Sequence, residues 1–116
     1  MKIGFLTGAR SEYGVMRQLI QRVSEDSFFT LVIYATGMHF QQKYGLTINE
    51  LKADNFGLIV EMPCYTEEQR DKKDDFVALI DVISAGLISN RPDILYLIGD
   101  RLEAYAGALA ASWAYL

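Results

Sequence analysis

The sequence predicts an α/β fold with a doubly wound parallel sheet. Short apolar β-rich runs alternate along the chain with segments of helical periodicity, which is typical of strands joined by crossover helices. The strand-like runs are apolar almost throughout, as expected for strands covered by helices on both faces. Right-handed crossovers then give the strand order 3-2-1-4.

The first part of the chain contains two predicted strands and one predicted helix. Lys2–Thr7 (KIGFLT) is a short apolar strand that ends at Gly8, and Phe29–Thr36 is a second strand that ends at Gly37. Gly14–Ser24, between them, has helical periodicity. The apolar residues that this helix is expected to bury on one face are Val15, Leu19, Ile20 and Val23.

A short helix and a third strand follow. Thr47 and Glu50 have the spacing of a capping box, in which two side chains satisfy the first N–H groups of a helix, so Thr47–Asp54 is predicted to be helical. Gly57–Met62 is the third predicted strand, and Pro63 ends it.

The second half of the chain starts with its most polar stretch. We interpret Tyr65–Asp75 (YTEEQRDKKDD) as a surface loop that runs into a solvated helix start. Phe76–Asn90 is a strongly apolar helix that Pro92 stops. Asp93–Ile98 is the fourth predicted strand, and Leu102–Leu116 is an Ala-rich helix.

Composition and charge exclude several classes of protein. Of the 116 residues, 51% are hydrophobic, so the chain collapses around a core and is not disordered. The net charge of −4 disfavours a nucleic-acid binder. No apolar run approaches the ~18 residues of a membrane span. The single Cys64 favours a reducing, cytoplasmic compartment.

The last predicted helix is apolar to its end, at Trp113, Tyr115 and Leu116, and carries no Gly stop signal. The fourth strand would also be left as an open apolar edge, which natural proteins usually cover. We therefore expect residues 1–116 to be a single partial domain of a longer protein. The alternative is a chain that completes its sheet by pairing with another, and the open edge predicts a homo-oligomer.

Unusual polar residues gather in three loops that follow predicted strands. In a doubly wound sheet, ligands bind at the carboxyl ends of the strands where the strand order reverses, here between strands one and four. Thr7–Gly14 and Gly99–Glu103 meet at that crevice, and Gly37–His39 borders the same edge. This convergence predicts a binding site.

The loop Thr7–Gly14 (TGARSEYG) suits a phosphorylated ligand. It leads into a helix, whose N-terminal N–H groups bind anions, and Arg10 adds a bidentate donor. Its glycines form neither a GxGxxG fingerprint nor a Walker A loop, so NAD and ATP are less expected than another phosphorylated ligand. An ordinary turn with an exposed arginine remains the alternative.

The loop Gly99–Glu103 places Asp100, Arg101 and Glu103 within four residues. A carboxylate beside an arginine can act as a base or anchor a ligand, whereas Asp100 also suits a helix N-cap with Glu103 favoured by the helix dipole. His39 is the only histidine; a packing role is the usual one, but its position after a strand favours function. Without a second histidine or a cysteine cluster, we expect no metal site.

Four segments, in order, resemble the UDP-N-acetylglucosamine 2-epimerases. The opening strand with TGARSEYGVMRQLI resembles the family's TGTRADYGLL start, and ATGMHFQQKY resembles its GxHL…G segment. RPDILYLIG resembles the KPDxxxVxGD strand, and DRLEAYAGALAA resembles the DRFExLAAAxAA helix. The GDR-x-E form, in place of GDT-x-S, is similar to the hydrolysing branch that feeds sialic acid synthesis.

The resemblance implies a two-domain GT-B architecture with the nucleotide sugar in the cleft between the domains. This chain would be the first part of the Rossmann-like N-terminal domain. Arg10 and Arg101 would contact the UDP moiety of a UDP-amino sugar. The other residues predicted to bind UDP are Gly8, Ser11 and Gly14.

The resemblance also implies catalytic residues and a mechanism. Asp100 would be an acid/base carboxylate, His39 would line the sugar–phosphate site, and Glu103 matches the motif without an assigned role. The family mechanism eliminates UDP to give a 2-acetamidoglucal, and water then adds to yield N-acetylmannosamine, with no cofactor. The chain alone should be inactive. Alternatives are a non-hydrolysing epimerase, a GT-B glycosyltransferase or an inactive interaction module.

Overall fold

A computed structural model describes residues 1–65, 70–114 and 116, and its sheet has the predicted topology. Four strands lie in the order β3-β2-β1-β4, and each neighbouring pair is parallel. The strands are β1 (Lys2–Thr7), β2 (Thr30–Thr36), β3 (Leu58–Met62) and β4 (Ile94–Tyr96). The predicted doubly wound α/β fold is thus confirmed.

Helices cover both faces of this sheet. They are α1 (Arg10–Ser24), α2 (Ile48–Asp54), α3 (Lys72–Ser89) and α4 (Leu102–Trp113). Two short 3-10 turns, Gly37–Phe40 and Gln42–Tyr44, follow β2. Because successive strand residues point to opposite faces, Phe5 packs with α1 and α2 whereas Leu6 packs with α3 and α4. None of the helices in the described part of the chain is both long and apolar enough to cross a bilayer.

The register of β1 brings three strand ends together. Along its whole length β1 pairs with β2, from Lys2 opposite Thr30 to Thr7 opposite Ala35. On its other side, Ile3–Phe5 pairs with the whole of β4. Since all these pairs are parallel, the loops that follow β1, β2 and β4 leave the sheet at one edge.

Helix α1 differs from the prediction in its start and in its buried face. It begins at Arg10 instead of Gly14, and its first helical hydrogen bond joins the Tyr13 N–H to the Ala9 carbonyl at 3.1 Å. The predicted face placed Val15 and Leu19 in the core, but both are exposed. The buried residues instead follow the helical repeat Tyr13, Met16, Ile20 and Val23.

The predicted helix α2 forms, but the capping box predicted for it does not. Thr47 does precede the helix, but its hydroxyl makes no cap hydrogen bond. That hydroxyl lies 2.8 Å from His39 Nδ1 instead, so a contact between loops has displaced the local cap. The backbone of Thr47 is itself in the right-handed helical region, which does not suit a side-chain cap.

The polar stretch before α3 runs into the start of that helix, as predicted. Helix α3 begins at Lys72, four residues before Phe76, because the Asp71 carboxylate caps it by accepting a hydrogen bond from the Asp74 N–H at 3.0 Å. Part of the predicted loop, residues 66–69, lies outside the described residues. Strand β4 is shorter than predicted, and α4 ends at Trp113.

The corrected face of α1 gives a stability prediction. Met16→Ala removes a side chain that is 2% exposed, so we expect the free energy of unfolding to fall by about 2–4 kcal/mol. Val15→Ala on the same helix changes a side chain that is 76% exposed and should alter that free energy by less than ~0.5 kcal/mol. Urea denaturation of both variants measures the difference. The reverse ranking would mean that α1 buries the face first predicted.

Candidate functional site

Three loops meet around the side chain of Glu103 at the carboxyl edge of the sheet. The Met38 N–H donates to the Gly8 carbonyl at 2.8 Å, which joins the loops after β1 and β2. A Cβ atom at Gly8 would lie 2.5 Å from Glu103 Cγ, and one at Gly37 would lie 3.0 Å from Glu103 Oε1. Gly37 also has a φ of +64°, so both positions require glycine. The predicted convergence of the loops is therefore present.

The first loop is short, and the Glu12 carboxylate accepts a hydrogen bond from its backbone. Only Gly8 and Ala9 separate β1 from α1, and the Gly8 N–H donates to Glu12 Oε1 at 2.8 Å. Burial raises the pKa of the Glu12 carboxyl, and the charge of Glu103 raises it further. Glu12 Oε2 faces Gly99 after β4, so this side chain links two loops. Sequence reasoning gave Glu12 no role, because its burial depends on contacts far away in the chain.

One cleft gathers three of the predicted UDP-binding residues. Arg10, Ser11 and Arg101 line a cleft of about 200 Å³, which is also bounded by Met38 and Tyr44. Arg10 is largely exposed and pairs with Glu50 at 3.1 Å, an exposed ion pair that a ligand can replace at little cost. Two cations, one at the start of α1 and one just before α4, therefore border one space, which suits a phosphate.

The other two predicted UDP-binding residues do not face this cleft. Gly8 is buried beneath it, where the missing side chain makes room for Glu103. Gly14 lies inside α1 and lines a second depression of about 420 Å³ beside Arg17 and Asp54, which shares only Arg10 with the cleft. The segment Thr7–Gly14 extends past the first turn of α1. Gly14 is the fifth residue of that helix, and the rise of the helix places it away from the loop.

Asp100 is exposed and neither caps a helix nor forms a polar contact with another described residue. The helix-cap alternative is wrong, because the N-cap of α4 is Arg101 and no side chain caps the helix. The Asp100 carboxylate has no hydrogen bond or ion pair to any residue within 1–65, 70–114 or 116. With Arg101, Tyr65 and Lys72 it lines another depression of about 520 Å³. Its carboxylate is free to meet a ligand there.

Glu103 is a buried carboxylate that is held by two donors. The residue is 1% exposed. The Tyr65 hydroxyl donates to Oε1 at 2.8 Å, and Arg101 donates from Nε to Oε2 at 3.3 Å and from Nη2 to Oε1 at 3.4 Å. Burial and the Glu103 carboxylate raise the pKa of the Tyr65 phenol, so it stays a donor. Burial alone would lower the pKa of Arg101, but the hydrogen bonds and charge of Glu103 raise it.

His39 lies beneath the site and does not line any of these depressions. The ring is fully buried, with Nε2 2.8 Å from Thr7 Oγ1 and Nδ1 2.8 Å from Thr47 Oγ1. The Thr7 hydroxyl donates to the Ala9 carbonyl at 3.2 Å, which leaves its oxygen to accept from Nε2–H. Burial lowers the pKa of His39 to about 4, so the ring is neutral at pH 7. Its contacts join the end of β1, the turn after β2 and the residue that precedes α2.

Comparison with known proteins identifies the family of this chain. A family model described as UDP-N-acetylglucosamine 2-epimerase matches residues 21–116. The chain belongs to the UDP-N-acetylglucosamine 2-epimerase family. Among curated relatives, a Legionella pneumophila UDP-N,N'-diacetylbacillosamine 2-epimerase (hydrolyzing) is 34% identical over 116 residues. An Escherichia coli polysialic acid biosynthesis protein P7 is 32% identical over 113 residues.

The relatives are much longer than this chain. The matches cover 95% and 96% of the chain but 30% and 29% of the two relatives. A crystal structure of a Neisseria meningitidis UDP-GlcNAc 2-epimerase bound to UDP-GlcNAc has a TM-score of 0.83 at 18% identity. It covers 99% of this chain and 30% of that one. The likeness confirms the predicted fold, a Rossmann-like doubly wound parallel sheet.

The buried ring of His39 gives a prediction for pH. As the only histidine, His39 supplies a single ring Cε1–H signal, which we expect to stay constant from pH 8 to pH 5. Below pH 6.5 the unfolded chain gains a proton that the folded chain does not bind, so stability falls as the pH drops towards 4, by roughly 3 kcal/mol. NMR titration measures the midpoint. A midpoint near 6.5 would contradict the buried, neutral ring.

Proposed function

We propose that this chain forms the first part of a hydrolysing 2-epimerase that converts UDP-N-acetylglucosamine to N-acetylmannosamine and UDP. The observation that carries the proposal is the placement of Arg10 and Arg101 on one cleft, with the exposed Asp100 next in sequence to Arg101. Loss of UDP needs cations at the leaving diphosphate, and loss of the C2 proton needs a nearby base. The chain presents both kinds of group at one edge of the sheet.

The two arginines stabilise the leaving group in this proposal. When the C1–O bond breaks, its electron pair goes to the UDP oxygen, and guanidinium groups on either side of the cleft offset the new negative charge. Arg101 lies at the boundary between the cleft and the depression that contains Asp100. A diphosphate beside Arg101 therefore brings the attached sugar towards Asp100.

Asp100 is the acid/base carboxylate of the proposed reaction. A base takes the proton from C2 as UDP leaves from C1, which forms the 2-acetamidoglucal. Water then adds at C1 while C2 takes a proton on the opposite face, which gives N-acetylmannosamine. Asp100 is suited to a proton transfer because no described residue hydrogen-bonds to its carboxylate. The remainder of the protein supplies further groups, so the chain alone is inactive.

A second substrate is favoured by the Legionella relative. That protein is named for a UDP-N,N'-diacetylbacillosamine, a 2,4-diacetamido sugar, and is 34% identical to this chain. Elimination across C1–C2 leaves C4 untouched, so the same residues serve either sugar. The groups that contact C4 decide between the two substrates, and both sugars belong in the test of function.

The first functional prediction concerns turnover by the complete protein. Proton NMR should show free N-acetylmannosamine and UDP forming from UDP-N-acetylglucosamine, or the corresponding products from the diacetamido sugar. Asp100→Asn should lower kcat by about 10²–10⁴-fold, because it removes the proposed base. Asp81→Asn, the same change on an exposed residue of α3, is the matched control.

Other products would contradict this function in distinct ways. UDP-N-acetylmannosamine without free sugar would indicate a non-hydrolysing epimerase. Transfer to an acceptor without 2-epimerisation would indicate a glycosyltransferase. No reaction with either sugar, and no effect of Asp100→Asn on any binding, would favour an interaction module.

The second functional prediction concerns UDP binding. Arg10→Ala and Arg101→Ala should each weaken UDP binding by the complete protein about tenfold or more, since each removes a charge-assisted contact. Arg22→Ala changes an exposed arginine in the last turn of α1, at the opposite end of that helix from Arg10, and should leave affinity unchanged. Titration calorimetry measures all three. Equal affinities would remove the two arginines from the UDP site.

A further inference from the structure

Glu103 holds one edge of the Arg101 guanidinium. Arg101 Nε and Nη2 point to the two carboxylate oxygens of Glu103, and Nη2 also lies 2.7 Å from Met38 Sδ. Arg101 Nη1 has no hydrogen bond to another residue of the described segments. The edge of the guanidinium formed by Nε and Nη2 is therefore fixed by the protein. Nη1 is available to a ligand in the cleft or in the depression that contains Asp100.

The position of Glu103 is fixed independently of Arg101. Its side chain leaves the first turn of α4 and crosses Gly8 and Gly37, where any side chain would collide with it. The Tyr65 hydroxyl donates to Oε1 from the far side. A buried carboxylate is costly unless it is paired and hydrogen-bonded. Apart from Arg101, Glu103 is thus held by the space between the two glycines and by the Tyr65 hydroxyl at Oε1.

We propose that Glu103 and Tyr65 are positioning residues that preorganise Arg101 for the diphosphate of the substrate. The inference rests on the proposed function, in which Arg101 contacts UDP. A free arginine loses rotamer freedom when a ligand orders it, whereas an arginine already held by a buried carboxylate loses less. Glu103 thus acts through Arg101 and does not touch the substrate.

A purely electrostatic role for Glu103 predicts the opposite effect. If the carboxylate only neutralised Arg101, its removal would strengthen the attraction between the Arg101 charge and the diphosphate. UDP would then bind more tightly. If it positions Arg101, its removal lets the guanidinium move and UDP binds more weakly. The sign of the change in affinity therefore separates the two roles.

The test is a double-mutant cycle on the complete protein, with UDP binding measured by calorimetry. Glu103→Gln should weaken binding about tenfold in the wild-type background and by less than about twofold in the Arg101→Ala background, because the two residues act as one unit. Glu25→Gln makes the same charge change at an exposed site beyond the far end of α1 and is the matched control. Tighter binding, unchanged binding or additive losses would each overturn the inference.

A milder variant guards against misfolding of Glu103→Gln. Tyr65→Phe removes only the hydroxyl that donates to Glu103 and should weaken UDP binding about threefold, again only while Arg101 is present. Unchanged affinity in this variant would overturn the role of Tyr65. Since the readout is binding and not turnover, a protein that binds UDP without epimerising would refute the proposed reaction yet still test the positioning. A wild-type protein that does not bind UDP would overturn both.

Discussion

The central position of β1 is the constraint on which the rest of the structure depends. Because β1 pairs in parallel with β2 on one side and with β4 on the other, three loops leave the sheet at one edge. The loops can approach each other only because Gly8 and Gly37 lack side chains where Glu103 crosses them. Strand order thus brings Arg10 and Arg101 together, although they lie 91 positions apart in the sequence.

Buried polar groups, and not the exposed ones, give this edge its shape. Glu12 accepts from the Gly8 N–H, Glu103 accepts from Tyr65 and Arg101, and neutral His39 bridges two threonines. Each buried group is paired, so the arrangement is rigid, and breaking one pair leaves a costly orphan. The exposed Arg10, paired with the exposed Glu50, and the exposed Asp100 therefore lie above a fixed base.

Sequence reasoning reached the sheet order and the meeting of the loops, because both follow from periodicity and from the handedness of crossovers. It failed where contacts between distant residues overrule local rules. Thr47 and Glu50 have the spacing of a capping box, yet the Thr47 hydroxyl is hydrogen-bonded to His39. Val15 is apolar, but the helix presents Met16 to the sheet. Nothing near Tyr65 in the sequence indicates that Glu103, 38 positions away, is its partner.

Amide NMR of the complete protein with UDP would locate the bound nucleotide and test directly whether it occupies the cleft between Arg10 and Arg101. We expect saturating UDP to shift the amide signals of Ala9–Ser11, Met38 and Arg101, which surround the cleft between the loops after β1 and β4. Signals around Arg17 and Asp54, in the depression between α1 and α2, should stay in place. Shifts confined to that second depression, or no shifts in residues 1–116 at all, would show that UDP does not bind between Arg10 and Arg101.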